Sequence, residues 1–235
     1  MKKKILLEIS VESVEAAAAA ERGGADRVEL CSNLSFGGLT PDLALLRAVR
    51  QQIQIPVFVM IRPRAGDFIY SSAEFAQIKK SIAAANDAGA SGLVFGILKA
   101  NRTVDIEGAR ELVELAQPLP VTFHRAFDAC QGLSQALEDV VRSGASRILT
   151  SGGAASAPEG AAKIAALVAA AGERVTIVPG AGINAGNILQ LASATRAQEF
   201  HSGLSSVFPR QQTDYVQFEK EVRAMVEMLS TLTPE

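Results

Sequence analysis

Val121-Thr122-Phe123-His124-Arg125-Ala126-Phe127-Asp128 is the stretch that decides how the chain is read. It opens as a short apolar, β-branched run and stops abruptly in His124, Arg125 and Asp128. A strand that delivers polar side chains at its C-terminal end is how an α/β barrel assembles a site. The same ending recurs along the chain. Glu8 follows Leu6-Leu7, Glu29 follows Val28, Arg62 follows Val59-Met60-Ile61, and His201 follows Phe200. The rest of the sequence then reads as scaffold that brings these strand ends together.

Working outward, apolar runs predict strands at about 5–9, 27–31, 57–61, 92–95, 121–124, 147–150, 175–178 and 199–201. Helical patterns alternate with them at 13–22, 41–52, 73–88, 105–116, 133–143, 158–171, 184–193 and 214–229. Ser13 reads as the N-cap of the first helix, and Thr40-Pro41 as a cap followed by Pro at the first helical position of the second. Eight strands alternating with eight helices, joined by short right-handed connections, predict one α/β domain over 1–235, a single (β/α)8 TIM barrel. Its strand core spans about 5–202 and a closing helix about 214–229. An open doubly wound sheet is the alternative, at the cost of two exposed edges.

Gly24-Ala25, Gly89-Ala90 and Gly144-Ala145 each precede an even-numbered strand, whereas Ile55-Pro56-Val57 and Leu119-Pro120-Val121 open odd-numbered ones. A repeat of two βα units suits a barrel whose strands contribute alternate layers. The same pairs also suit any helix that ends on Gly and turns into a sheet.

Composition narrows the classes. A hydrophobic fraction of 48% supports a packed core, and with no Trp that core must be aliphatic. Net charge is −2 and no basic stripe is present, which argues against nucleic acid as a partner. No segment reaches the roughly 18 apolar residues of a membrane span. Lys2-Lys3-Lys4 begins like a signal peptide, but Glu8 cuts the apolar run short, so a solvated lead-in is expected. Two cysteines, Cys31 and Cys130, predict reduced thiols and a cytoplasmic location.

Strand alternation sharpens the candidate site. With His124 facing the barrel interior, so does Thr122; Glu8 brings Leu6 and Ser10, Glu29 brings Arg27 and Cys31, Arg62 brings Met60, and His201 brings Glu199. Glu8, Glu29, Arg62 and His124 thus form a candidate catalytic ring of acid–base and charge-holding groups. Arg125 and Asp128 are expected to bracket a loop with each other. Ser151-Gly152-Gly153, Gly180-Ala181-Gly182 and Ser202-Gly203 are candidate anion-binding turns, with backbone N–H groups offered at helix starts. Cys31, His124 and Met60 are the candidate soft-metal ligands.

The chain resembles the CutC family, named for copper homeostasis. The matching stretches are Gly23 through Cys31, Gly37-Gly38-Leu39-Thr40-Pro41, Ile61 through Phe68, Val121 through Asp128, Leu149 through Gly153, and Pro179 through Ile183. The resemblance implies a TIM barrel, a cytoplasmic homo-oligomer, and copper as ion bound, with Cys residues as ligands. Many relatives carry Cys where this chain has Ser10 and Ile69; Cys31 alone remains of that set. Two functions therefore stand side by side. One is a copper-binding homeostasis protein. The other is a barrel enzyme doing acid–base chemistry on a small phosphorylated or carboxylated molecule.

Overall fold

Strands built from aliphatic and β-branched residues need cover on the face they turn outward. A computed structural model, which describes residues 4–205, 207–208 and 214–232, shows how it is supplied. The strands are β1 (Leu6–Val11), β2 (Arg27–Leu30), β3 (Val57–Met60), β4 (Gly92–Phe95), β5 (Val121–Phe123), β6 (Arg147–Thr150), β7 (Thr176–Pro179) and β8 (Glu199–Ser202). All recorded pairings are parallel and join sequence neighbours, and β8 returns to pair with β1. β7 and β8 pack side by side at the seam. This is a (β/α)8 TIM barrel, and the packing of β7 against β8, the two ends of the strand order, excludes the open doubly wound sheet.

The outer ring is α1 (Val14–Arg22), α2 (Leu43–Gln52), α3 (Ser72–Asp87), α4 (Ile106–Ala116), α5 (Leu133–Ser143), α6 (Ala161–Ala171), α7 (Ile188–Thr195) and α8 (Tyr215–Ser230). The Ala16–Ala20 run of α1 is wholly buried, so its small side chains let that helix lie close to both the sheet and α8. Lys4 pairs with Asp26 at 2.5 Å, while Lys2 and Lys3 lie outside the described residues.

Local capping chemistry sets most boundaries. Ser13 accepts the Ala16 N–H at 3.1 Å, as its position before α1 predicts. The Thr40-Pro41 start for α2 is corrected. Asp42 is the cap, accepting from Leu45 N at 2.7 Å, because the Thr40 hydroxyl is committed to the Arg62 amide at 2.8 Å. The last helices before the seam also start later than the pattern at 158 and 184 predicts. Residues 156–160 fold back on the turn after β6, where a Cβ on Gly160 would fall 1.8 Å from the Ser151 carbonyl oxygen.

The Gly-Ala pairs are a shared device. At the end of α1, Ala25 N donates to Ala20 O and Gly24 N to Glu21 O; at the end of α3, Ala90 N donates to Ala85 O and Gly89 N to Asn86 O. This double bond pattern needs a left-handed residue, and Gly24 and Gly89 have φ of 92° and 87°. The Ala that follows is buried in each case, so the turn tucks under the barrel.

Two apolar clusters result. The larger lies between strands and helices; the smaller, inside the barrel, contains Cys31, Phe58, Met60 and Val94. Much of the remaining interior is polar, which is unusual for a barrel filled by aliphatic layers.

Candidate functional site

Alternation along β1, β2, β5, β6 and β8 turns Glu8, Arg27, Thr122, Arg147 and Glu199 inward, and they form one buried ion-pair network. Arg27 bonds Glu8 through Nε and Glu199 through Nη2, the latter at 2.5 Å. Arg147 reaches Glu8 at 3.2 Å, Glu199 at 2.9 Å and the Thr122 hydroxyl at 3.0 Å. Both guanidinium groups lie over the Phe58 ring, 5.0 and 4.9 Å from its centroid. Gly92 makes room for that ring, since a Cβ there would sit 2.5 Å from it.

The network continues toward the C-terminal face through His201. Its Nδ1 lies 2.7 Å from Glu8 Oε1, and its Nε2 lies 3.7 Å from Glu29 Oε2. Glu8, Glu29 and His201 can bring one ligand atom each within 4.8 Å of one another. Three carboxylates (Glu8, Glu29, Glu199) then face two guanidiniums (Arg27, Arg147) and one imidazole, and the charges balance when His201 is protonated. Burial opposes that proton, but Glu29 and the Glu8 hydrogen bond outweigh it and raise the His201 pKa. Burial likewise opposes the Glu8 charge, yet Arg147 and Arg27 hold its carboxyl well below the usual range. Glu29 moves the other way, raised by burial, and its Oε1 has no hydrogen-bond partner among the described residues.

Above this layer the barrel opens into a cavity of about 710 Å³, lined among others by Ser10, Glu29, Met60, Arg62, His124 and His201. Glu8 does not line it; it lies beneath, behind His201. The expected ring of Glu8, Glu29, Arg62 and His124 is therefore split across two levels. Arg62 is held by backbone carbonyls, Phe36 O at 2.9 Å, Gly38 O at 3.3 Å and Gly66 O at 2.8 Å. His124 accepts the Ala126 N–H at Nδ1, 3.2 Å away, which places the ring hydrogen on Nε2. Burial first, then the Arg62 charge, lowers its pKa to about 3. It is a neutral hydrogen-bond donor at physiological pH, and it offers no lone pair at Nε2.

The soft-metal set fits poorly with this arrangement. Cys31 and Met60 are neighbours, both packed around Gly38. The Cys31 thiol is pushed well up by burial and by Glu29, to which it donates at 3.5 Å. A protonated thiol is not a Cu(I) ligand until it loses that proton. Among the described residues, the Cys, His, Asp and Glu side chains that cluster for an ion are Glu8, Glu29 and His201.

The turns expected to cradle an anion are unequal. After β6, the Asp128 carboxylate already sits in the cradle. It accepts from Ser151 N at 3.1 and 3.0 Å, Gly153 N at 3.0 Å, the Thr150 hydroxyl at 2.5 Å and the Ser151 hydroxyl at 3.0 Å. Gly152 N donates to Thr150 Oγ1. Arg125 does pair with Asp128, at 2.8 Å, and also reaches the Ser151 hydroxyl. After β7, Gly180 N is taken by Thr150 O, but Ala181 and Gly182 line the cavity and their amides have no partner among the described residues. After β8, buried Ser202 donates to Ile183 O at 2.5 Å, and Gly203 lines the cavity.

Sequence reasoning missed Arg147 and the Asp128 cradle. Arg147 had a signal, since it shares a face with Ser151 two pairs along β6 and opens a strand otherwise apolar. Asp128 had none, because its partners come from a different βα unit.

Comparison with known proteins follows the fold and these motifs. The CutC family matches residues 5–206. A human protein named copper homeostasis protein cutC homolog is 48% identical over 201 residues, covering 86% of this chain and 74% of its own length. A CutC family protein of Chromobacterium violaceum is 48% identical over 197 residues, covering 84% of this chain and 80% of its own. The crystal structure of a CutC protein from Streptococcus agalactiae superposes with a TM-score of 0.81 at 32% identity, covering 85% of this chain and 98% of that one. A phosphoribosylanthranilate isomerase from Thermotoga maritima, at a TM-score of 0.63 and 12% identity, shares the fold alone.

Proposed function

The chain belongs to the CutC family, and from that membership we propose that it serves copper homeostasis by receiving copper as the divalent ion at Glu29 and His201. The observation that carries the reading is the line Glu8–His201–Glu29. A carboxylate behind a histidine fixes the ring with Nδ1–H bonded, which leaves the Nε2 lone pair to a metal once the ring is deprotonated. Glu29 Oε1 is buried and unpartnered beside it. One imidazole and a carboxylate suit Cu(II), whereas Cu(I) prefers thiolate and thioether. Glu8 stays behind His201, held by Arg27 and Arg147. The relatives named for copper homeostasis support copper as the metal. The family resemblance supports a cytoplasmic homo-oligomer.

Titration of the metal-free protein with Cu(II), followed by electron paramagnetic resonance, tests this. One tight site is expected, weakened at least about tenfold by Glu29→Gln and by His201→Gln, and unchanged by Cys31→Ala. Equal affinity in all variants, or tight Cu(I) binding abolished by Cys31→Ala, would overturn the reading.

A further inference from the structure

Arg62 is a buried cation without a carboxylate. Arg27 and Arg147 face Glu8 and Glu199, but among the described residues no Asp or Glu lies within ion-pair reach of Arg62. Three carbonyl oxygens and the Phe68 ring, 4.9 Å from the guanidinium carbon, solvate the group without cancelling its charge. Its Nε has no hydrogen-bond partner among the described residues. A buried charge in this state is costly unless a counter-charge completes it.

His124 stands against the other ring contact of Phe68, with centroids 4.9 Å apart. Its Nδ1 is fixed as an acceptor by Ala126 N, so Nε2 carries a hydrogen, and that atom too is buried and unpartnered. Arg62, Phe68 and His124 all line the one cavity, as do Ala181 and Gly182 with their spare amides. Every one of these unsatisfied groups is a donor. Water would meet the hydrogen bonds but leave the Arg62 charge unmatched.

We propose that Arg62 and His124 form a binding site for the anionic group, a carboxylate or a phosphate, of a small organic molecule. Arg62 supplies the counter-charge and the His124 Nε2–H a neutral hydrogen bond. The cavity volume of about 710 Å³ lies in the range of small-molecule pockets. Leu34, Phe36, Met60 and Leu149 give it an apolar wall for the body of such a ligand. The site shares its cavity with Glu29 and His201 but draws its donors from neither, so the two readings are separable by variant.

The test is thermal unfolding of the full chain, with chelator present, against inorganic phosphate and against malonate at ionic strength matched by chloride. A saturable rise in Tm with at least one anion is expected. Malonate acting alone identifies a carboxylate ligand, and phosphate acting alone a phosphorylated one. Arg62→Gln should abolish the saturable rise, and His124→Asn should weaken the fitted affinity roughly tenfold, the worth of one hydrogen bond to a charged group. Should Arg62→Gln fail to fold, His124→Asn and the ¹⁵N shift of the His124 ring on adding the anion decide the matter. No rise beyond chloride, or a rise left intact by His124→Asn with an unmoved ring signal, overturns the proposal.

Discussion

The Glu8 carboxylate holds the His201 imidazole through a 2.7 Å contact at Nδ1, while its other oxygen takes both Arg27 and Arg147. One carboxylate thus contacts and orients three cationic groups from three other strands. Glu8→Gln keeps the shape and removes the charge. It leaves the two buried guanidiniums to Glu199 alone, and the expected loss is about 3–5 kcal/mol. Urea denaturation reads this directly; a loss under about 1 kcal/mol would mean that the interior network is not an energetic unit.

The two histidines should tilt the pH dependence of stability in opposite directions. His124 stays neutral in the fold, with its pKa lowered to about 3, while the unfolded chain takes a proton near 6.5. Its contribution is therefore full above about pH 6.5 and lost as pH falls toward 3, on the order of 4 kcal/mol across the whole window. His201 is raised, so its contribution is full below about 6.5 and lost as pH rises through its folded value. Denaturant midpoints measured from pH 4.5 to 9 should show an acid limb flattened by His124→Asn and an alkaline limb flattened by His201→Gln. Parallel curves for wild type and both variants would contradict these assignments.

Asp128 acts as a built-in anion in the turn after β6. Asp128→Ala strips the partners from two amides and the Thr150 hydroxyl, while the Ser151 hydroxyl keeps Ala154 O, and should cost about 2–4 kcal/mol. The emptied cradle should then accept an external anion, so sulfate is expected to raise the Tm of the variant beyond chloride at equal ionic strength. A variant no more responsive than wild type would show that the amides collapse onto other partners.

Gly96 sets the position of the His124 ring. A Cβ there would lie 2.6 Å from Nδ1 and 2.8 Å from Cε1, with Ala126 Cβ at 3.0 Å on the other side. Gly96→Ala should cost about 1–3 kcal/mol, break the Ala126 N–H bond to Nδ1 and release the ring from its fixed tautomer. Imidazole ¹⁵N titration reports both effects; an unchanged titration would rule out the steric argument.

The two thiols should differ in reactivity. Cys31 is fully buried and its thiol is held high by burial and by Glu29, whereas Cys130 is half-buried and raised to about 11. A disulfide reagent at pH 8 should label Cys130 slowly in the native protein and Cys31 only on unfolding. Rapid native labelling of Cys31 would reopen it as a metal ligand.

Much of this architecture was legible beforehand. The polar residues toward the C-terminal ends of β2, β5 and β8 announced which end of the barrel carries chemistry, whereas Glu8 sits mid-strand in β1, and Gly24-Ala25 and Gly89-Ala90 marked helix ends. Local chemistry writes these signals, because a left-handed turn needs its Gly and a strand alternates its faces whatever its neighbours are. Capping was less legible at α2, where Thr40 and Asp42 are equally good caps in isolation and only the Arg62 amide decides between them.

The sequence by itself determined the alternation of strands and helices, the Gly-marked helix ends and the inward set of Glu8, Glu29, His124 and His201, since each follows from periodicity within about ten residues. Only the tertiary structure decided who meets whom. Glu8 and His201 stand 193 positions apart and touch because β8 closes on β1. Asp128 fills the cradle that Ser151 and Gly153 would otherwise offer, and Arg62 is left with carbonyls in place of a carboxylate. Electrostatic pairing acts through space and depends on strand register, so the same inward-facing residues could have formed one ring. Barrel closure instead sorted them into a neutralised lower layer and an upper layer with donors to spare.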